Sequence, residues 1–90
     1  YRVEFQPYSR TAWHTHSGHQ ILVVISGRCR FQSEQQDVCE VGPGDLVLFS
    51  ANEMHWHGAT PDAPMVHLAL NIDARTRWFQ KVTDAEYGQL

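Results

Sequence analysis

Apolar and β-branched residues in this chain come in runs of about five to seven, punctuated by Gly, Pro, Asn and Ser instead of recurring at helical spacing. That rhythm predicts about seven strands, drawn from segments 1–6, 11–16, 20–26, 28–33, 36–41, 46–49, 54–59 and 65–72. Gly42-Pro43-Gly44-Asp45 is a strong turn signal, and the polar stretch around Glu34 closes a hairpin whose centring would set Cys29 roughly opposite Cys39. Only the tail reads as helix: Thr83-Asp84-Ala85-Glu86 has the form of a capping box and predicts a short C-terminal helical turn. Evenly spaced short strands favour an all-β sandwich or barrel, since closure or double-sheet packing disposes of edges. A small barrel is the expected architecture.

Ninety residues hold one domain, here expected to span 1–90, with a strand or strands missing upstream of Tyr1. A hydrophobic fraction of 42% with 19% charged residues excludes disorder, and no apolar run approaches the roughly 20 residues of a membrane helix. The net charge of −3 comes without a basic stripe, so neither nucleic acid nor a membrane surface is an expected partner. Two cysteines without a signal peptide or a C-x-x-C spacing make neither a disulfide framework nor a zinc clip. They are expected to be reduced packing residues of a cytoplasmic protein.

Six histidines are the informative excess. Side chains alternate along a strand, so His14 and His16 in H-T-H share one face, as do His55 and His57 in H-W-H. His67, Ala69 and Asn71 share a face of the last long strand, and Gln20 opens the strand after the Ser17-Gly18-His19 turn, beside the first histidine pair. Alternate histidines on a half-exposed strand are common without a metal. Two such pairs pointing into a barrel are costly to bury unless something pairs them, and neutral imidazole is the commonest metal ligand. His19, in a turn, is expected to be solvated, and Trp13, Phe49 and Trp56 to be packing residues.

The spacing His14-x-His16-x3-Gln20-x6-Gly27, followed by Gly44-x10-His55, resembles the two motifs of the cupins. Gln20 replaces the usual glutamate, Ser50 a proline, Asn52 a glycine and Ala59 an asparagine. The stretches R-T-A-W-H-T-H, G-D-L-V-L-F-S, H-W-H-G-A and M-V-H-L-A-L narrow the likeness to the small bacterial manganese cupins that include hydroxynitrile lyases. The resemblance implies a cupin-type jelly-roll, with His14, His16, Gln20 and His55 as metal ligands. It implies His67 as the catalytic proton carrier and Tyr1, Val3, His57 and Asn71 as substrate contacts. It favours Mn(II), with Fe(II), Ni(II) and Zn(II) as alternatives that ligand chemistry does not separate. The implied activity is a lyase acting on a small molecule in a homodimer or homotetramer, with exposed residues such as Trp78 and Phe79 available to bury. The alternatives are a metal-dependent dioxygenase and a sensing domain without turnover.

Overall fold

The computed structural model describes residues 1–72 and 75–89. Among these, strands β1 (Arg2–Phe5), β2 (His14–His16), β3 (Gln20–Ser26), β4 (Cys29–Ser33), β5 (Cys39–Val41), β6 (Leu46–Phe49), β7 (His55–Ala59), β8 (Met65–Asn71) and β9 (Thr76–Trp78) precede helix α1 (Asp84–Tyr87). They form two antiparallel sheets, ordered β1-β8-β3-β6 and β5-β4-β7-β2-β9. The all-β jelly-roll stands as expected, but its two sheets remain open instead of closing into one barrel. Segment 11–16 is strand only at its end, and residues 9–11 meet β7 through a single antiparallel bridge between Arg10 and Gly58, in which Ala59 donates to the Ser9 carbonyl and Thr11 to that of His57. Strand β9, a three-residue run too short to stand out in the sequence, was not anticipated.

The hairpin register also differs from expectation. Cys29 pairs with Val41 and Phe31 with Cys39, so the two cysteines are offset along the ladder and both are free. Cys29 is a core residue whose burial pushes its thiol up to about 12. Cys39 is exposed, which corrects its expected packing role.

Between the sheets lie Leu22, Val47, Phe49 and Ala69, and beside them Val24, Cys29, Ala59 and Met65. A third cluster of Trp13, Val38, Trp56, Val82 and Tyr87 packs on the far side of the five-stranded sheet. Period-two alternation explains the division, since Trp13 and Trp56 adjoin inward histidines and must point outward. The C-terminal segment covers them. Its capping box is complete, Glu86 N–H donating to the Thr83 hydroxyl and Thr83 N–H to the Glu86 carboxylate. Tyr87 is clamped by the Arg10 and Arg30 guanidinium groups over its ring and donates its hydroxyl to the Ala59 carbonyl at 2.5 Å. Among the described residues nothing covers the outer face of the four-stranded sheet in this way, and Ile25, Leu46, Leu48 and Leu70 are exposed there.

Gly58 is required where residues 9–10 lie against β7. A Cβ there would stand 2.3 Å from the Ser9 carbonyl oxygen and 2.6 Å from Arg10 Cα, whereas one at Gly44, at φ +87°, would meet nothing within 4 Å. Gly58→Ala is therefore expected to cost about 2–3 kcal/mol through displaced backbone, and Gly44→Ala about 1 kcal/mol through left-handed strain alone. Urea unfolding midpoints of the two variants check the order.

Candidate metal centre

The two central strands of the five-stranded sheet set the site. His14 on β2 pairs directly with His55 on β7, so their rings project from one face, with centroids 4.2 Å apart. His16 follows on the same face, 4.9 Å from the His14 ring and 5.3 Å from that of His55. Gln20 does not lie beside the histidines on their own sheet, as the sequence suggested. The turn at residues 17–19 carries the chain across to β3, so Gln20 meets the imidazoles from the facing sheet. His67, on β8 of that sheet, faces His57, its Nε2 3.3 Å from His57 Nδ1. His19 is exposed, as expected of a turn residue.

Backbone and hydroxyl groups fix the rings. His14 and His55 each donate Nδ1–H to a carbonyl two residues back, of Ala12 and Glu53 respectively, both at 2.8 Å. His16 Nδ1 lies 3.0 Å from the Thr76 hydroxyl on β9. The Glu53 turn is itself held, since its carboxylate accepts from Ser33 Oγ and the Ser50 N–H. Phe49 stacks on His55 at 3.8 Å and 14°. Thr76 and Glu53 escaped the sequence reading. Asn52, left-handed at φ 64°, identifies 50–53 as a turn, but Glu53 acts partly through its carbonyl, which every residue has.

With Nδ1 donating to a carbonyl, Nε2 of His55 is a bare lone pair, and it faces Gln20 Oε1 at 3.2 Å. Two acceptors at that distance repel unless a cation or proton lies between them. Buried His16 Nε2 and His67 Nδ1 have no hydrogen-bond partner among the described residues. Ring nitrogens of His14, His55 and His57 lie within 4.8 Å of one another, a spacing able to hold a metal ion. That trio differs from the expected set by including His57, whose position between His14 and His67 brings it into the cluster. Convergent neutral nitrogens, an amide oxygen and orphaned buried acceptors fit a divalent transition-metal ion.

Burial keeps these imidazoles uncharged. It is the largest influence on each of His14, His16, His55, His57 and His67, and all five are lowered from the ordinary 6.5. His55 falls to about 3 although the Glu53 carbonyl opposes the shift. At His16 the opposing influence is the nearby Gln20 amide. Neutral imidazole is the ligating form.

Beside the cluster opens a cavity of about 250 Å³, lined among others by Tyr1, Val3, Phe5, His67, Asn71 and Trp78. The expected substrate contacts Tyr1, Val3, His57 and Asn71 all border it, as does His67. His55 lies behind this lining, packed against Phe49.

A double-sheet jelly-roll with inward histidines on paired strands of one sheet defines a β-sandwich class with a site able to hold a metal. The chain belongs to the cupin family, whose cupin-domain model matches residues 1–71. It is 47% identical over 88 residues to an (R)-mandelonitrile lyase of Granulicella tundricola, spanning 94% of this chain and 67% of that protein. A cupin-like protein of Thermotoga maritima superposes with a TM-score of 0.94 at 38% identity, over 97% of this chain and 68% of its own. The dimethylsulfoniopropionate (DMSP) lyase DddQ of Ruegeria pomeroyi shares the fold alone, with a TM-score of 0.76 at 21% identity over 97% of this chain and 43% of its own.

The lowered histidines set an acid limit on stability. Below pH 6.5 the unfolded chain binds protons that the folded chain refuses, so stability falls as pH drops from 6.5 towards about 3, where His55 protonates. Thermal midpoints of metal-free protein should decline steadily over that window and stay nearly level from pH 7 to 8. A flat profile from pH 7 to 4 would contradict the buried neutral state.

Proposed function

We propose that this protein is a divalent-metal-dependent lyase of the hydroxynitrile type, a single cupin domain over 1–90 with Mn(II) as its favoured ion. The observation that carries the proposal is the approach of His55 Nε2 to Gln20 Oε1 inside a histidine cluster, next to a cavity that His67 borders. In this reading His14, His16, Gln20 and His55 hold the ion, and Tyr1, Val3, His57 and Asn71 contact the substrate. The relative named as an (R)-mandelonitrile lyase supports the reaction type. When bound, the ion supplies Lewis acidity towards a substrate oxygen.

The chain's own part is proton handling and placement. His67, uncharged near neutral pH, takes the hydroxyl proton of a cyanohydrin. The oxygen's electron pair closes the carbonyl as the bond to the nitrile carbon breaks, and cyanide leaves with that bond's electrons. The imidazolium then returns the proton to cyanide. His57, with Nδ1 3.3 Å from His67 Nε2, holds that ring in place. Gln20 cannot share this work, because a carboxamide accepts no proton at neutral pH. The work is proposed to take place in the cytoplasm, in a homodimer or homotetramer, and the exposed aliphatic face of the four-stranded sheet supports self-association.

Elemental analysis and mandelonitrile cleavage by manganese-reconstituted protein test the proposal together. His16→Ala and His55→Ala are expected to lose the metal, and His57→Phe to retain it. His67→Ala should keep full metal content while the rate falls about 10²–10⁴-fold. Gln20→Glu places a negative charge on the ion, so metal affinity holds or rises while the rate falls. Loss of metal from Gln20→Glu, or retention in His16→Ala with loss in His57→Phe, would replace the proposed ligand set with the His14, His55 and His57 trio.

A further inference from the structure

We infer that Trp78 is the wall of the cavity that recognises an aryl group, making it a specificity-determining residue for a small, neutral aromatic substrate. The inference rests on the lyase reading for the reacting end of the substrate and concerns the end that does not react. Trp78 belongs to neither the ligand set nor the substrate contacts named above.

Its placement follows from register. On β9, Trp78 is the direct partner of His14 on β2, so the two side chains leave the same face of the sheet. Their rings lie 4.8 Å apart, tilted by 40°. His14 thus supports part of the indole while the residue remains 61% exposed, bordering the same cavity as Val3 and Phe5 of β1. Trp13 and Trp56 are buried in the outer cluster, so Trp78 is the one tryptophan with an indole available to a ligand.

Size and charge limit what binds there. About 250 Å³ lies below the usual range for drug-sized ligands and suits a molecule of about ten heavy atoms. No described residue lining it carries a charged side chain at neutral pH, so an ammonium would enter unpaired and a carboxylate would find a counter-charge in the ion alone. The lining divides into polar groups, the histidines with Gln20 and Asn71, and apolar walls that stand against them, Phe5 5.5 Å from the His67 ring and Trp78 4.8 Å from that of His14. A neutral molecule with an aromatic ring and one hydroxyl or carbonyl matches this division, and offset or edge contact with indole favours its ring over an aliphatic group of similar bulk. Because Trp78 packs on His14, the ring subsite adjoins the donor cluster.

The test compares benzaldehyde with 2-methylpropanal on zinc-loaded protein, by calorimetric titration and by the three indole N–H signals in NMR. Benzaldehyde should bind about tenfold more tightly and shift the Trp78 indole signal, leaving those of Trp13 and Trp56 in place. Trp78→Ala should weaken benzaldehyde about 3- to 10-fold and 2-methylpropanal less than 2-fold. Trp78→Phe should recover most of the aryl preference, and metal content should be unchanged in both variants. Unaltered benzaldehyde affinity in Trp78→Ala, equal loss for both aldehydes, or loss of metal would each overturn the inference. Mandelonitrile turnover separates it from the parent reading. Trp78-dependent aryl binding without turnover in the manganese-loaded protein would sink the lyase assignment alone. Turnover whose aryl-to-alkyl kcat/KM ratio survives Trp78→Ala would sink this inference alone.

Discussion

Burial of strand β7 on both faces is the constraint from which the rest of the structure follows. All five of its residues are buried, with His55 and His57 turned towards the other sheet and Trp56 towards the C-terminal segment. A strand covered on one side only would leave its polar face in water, where imidazoles need no partner. Here the aromatic cover outside and the second sheet inside remove water from both, and Trp56 still satisfies its indole N–H by donating to Gln32 Oε1 at 2.9 Å. The histidines opposite have no such sufficiency. Nδ1 of His14 and of His55 is met locally, while Nδ1 of His57 faces His67 Nε2 on the other sheet and Nε2 of His55 faces Gln20.

Electrostatics explains why this cluster stays neutral without a carboxylate. A buried imidazolium would need a nearby negative charge, and the described acidic residues lie elsewhere: Glu40 is held below the usual carboxylate range by Arg30 and Arg28, and Asp84 by Arg10 and Tyr8. Glu53 is the nearest in sequence, yet its carboxylate is turned to Ser33 and the Ser50 amide, and only its carbonyl serves His55. The interior is therefore rich in lone pairs and poor in charge. That combination favours a metal ion over a proton: one ion can satisfy several converging lone pairs, whereas a proton on one ring satisfies a single neighbour and a second proton is repelled by the first.

How much of this could be read beforehand divides along physical lines. Period-two alternation is a local property, so the shared faces of His14 with His16 and of His55 with His57 were legible, as was the capping box at Thr83. The cupin spacing carried the jelly-roll and the family. What depends on which strands meet was not legible. Gln20 was expected beside its histidines and instead crosses from the facing sheet. Cys29 and Cys39 were set opposite by centring a turn, whereas Gln35, left-handed at φ 67°, shifts the tip and pairs Cys29 with Val41. Thr76 and Trp78 were missed as cavity residues because β9 is three residues long, and its partnership with β2 spans about sixty residues of chain.

The division of the cavity between two sheets has a further consequence for how such a site can vary. Donor atoms come from β2 and β7 and from Gln20 at the start of β3, all buried, with the His14 and His55 rings fixed by carbonyls that no side-chain substitution removes. The non-reacting walls come from the edge strands β1 and β9, each paired on one side only among the described residues. A change at Val3 or Trp78 alters the cavity's shape without disturbing a ladder on two sides, while a change at His55 perturbs β2, β4 and the aromatic layer beneath. Chemistry placed at the centre and recognition placed at the edges can therefore change separately, which is what a small domain needs if one donor cluster is to serve different substrates.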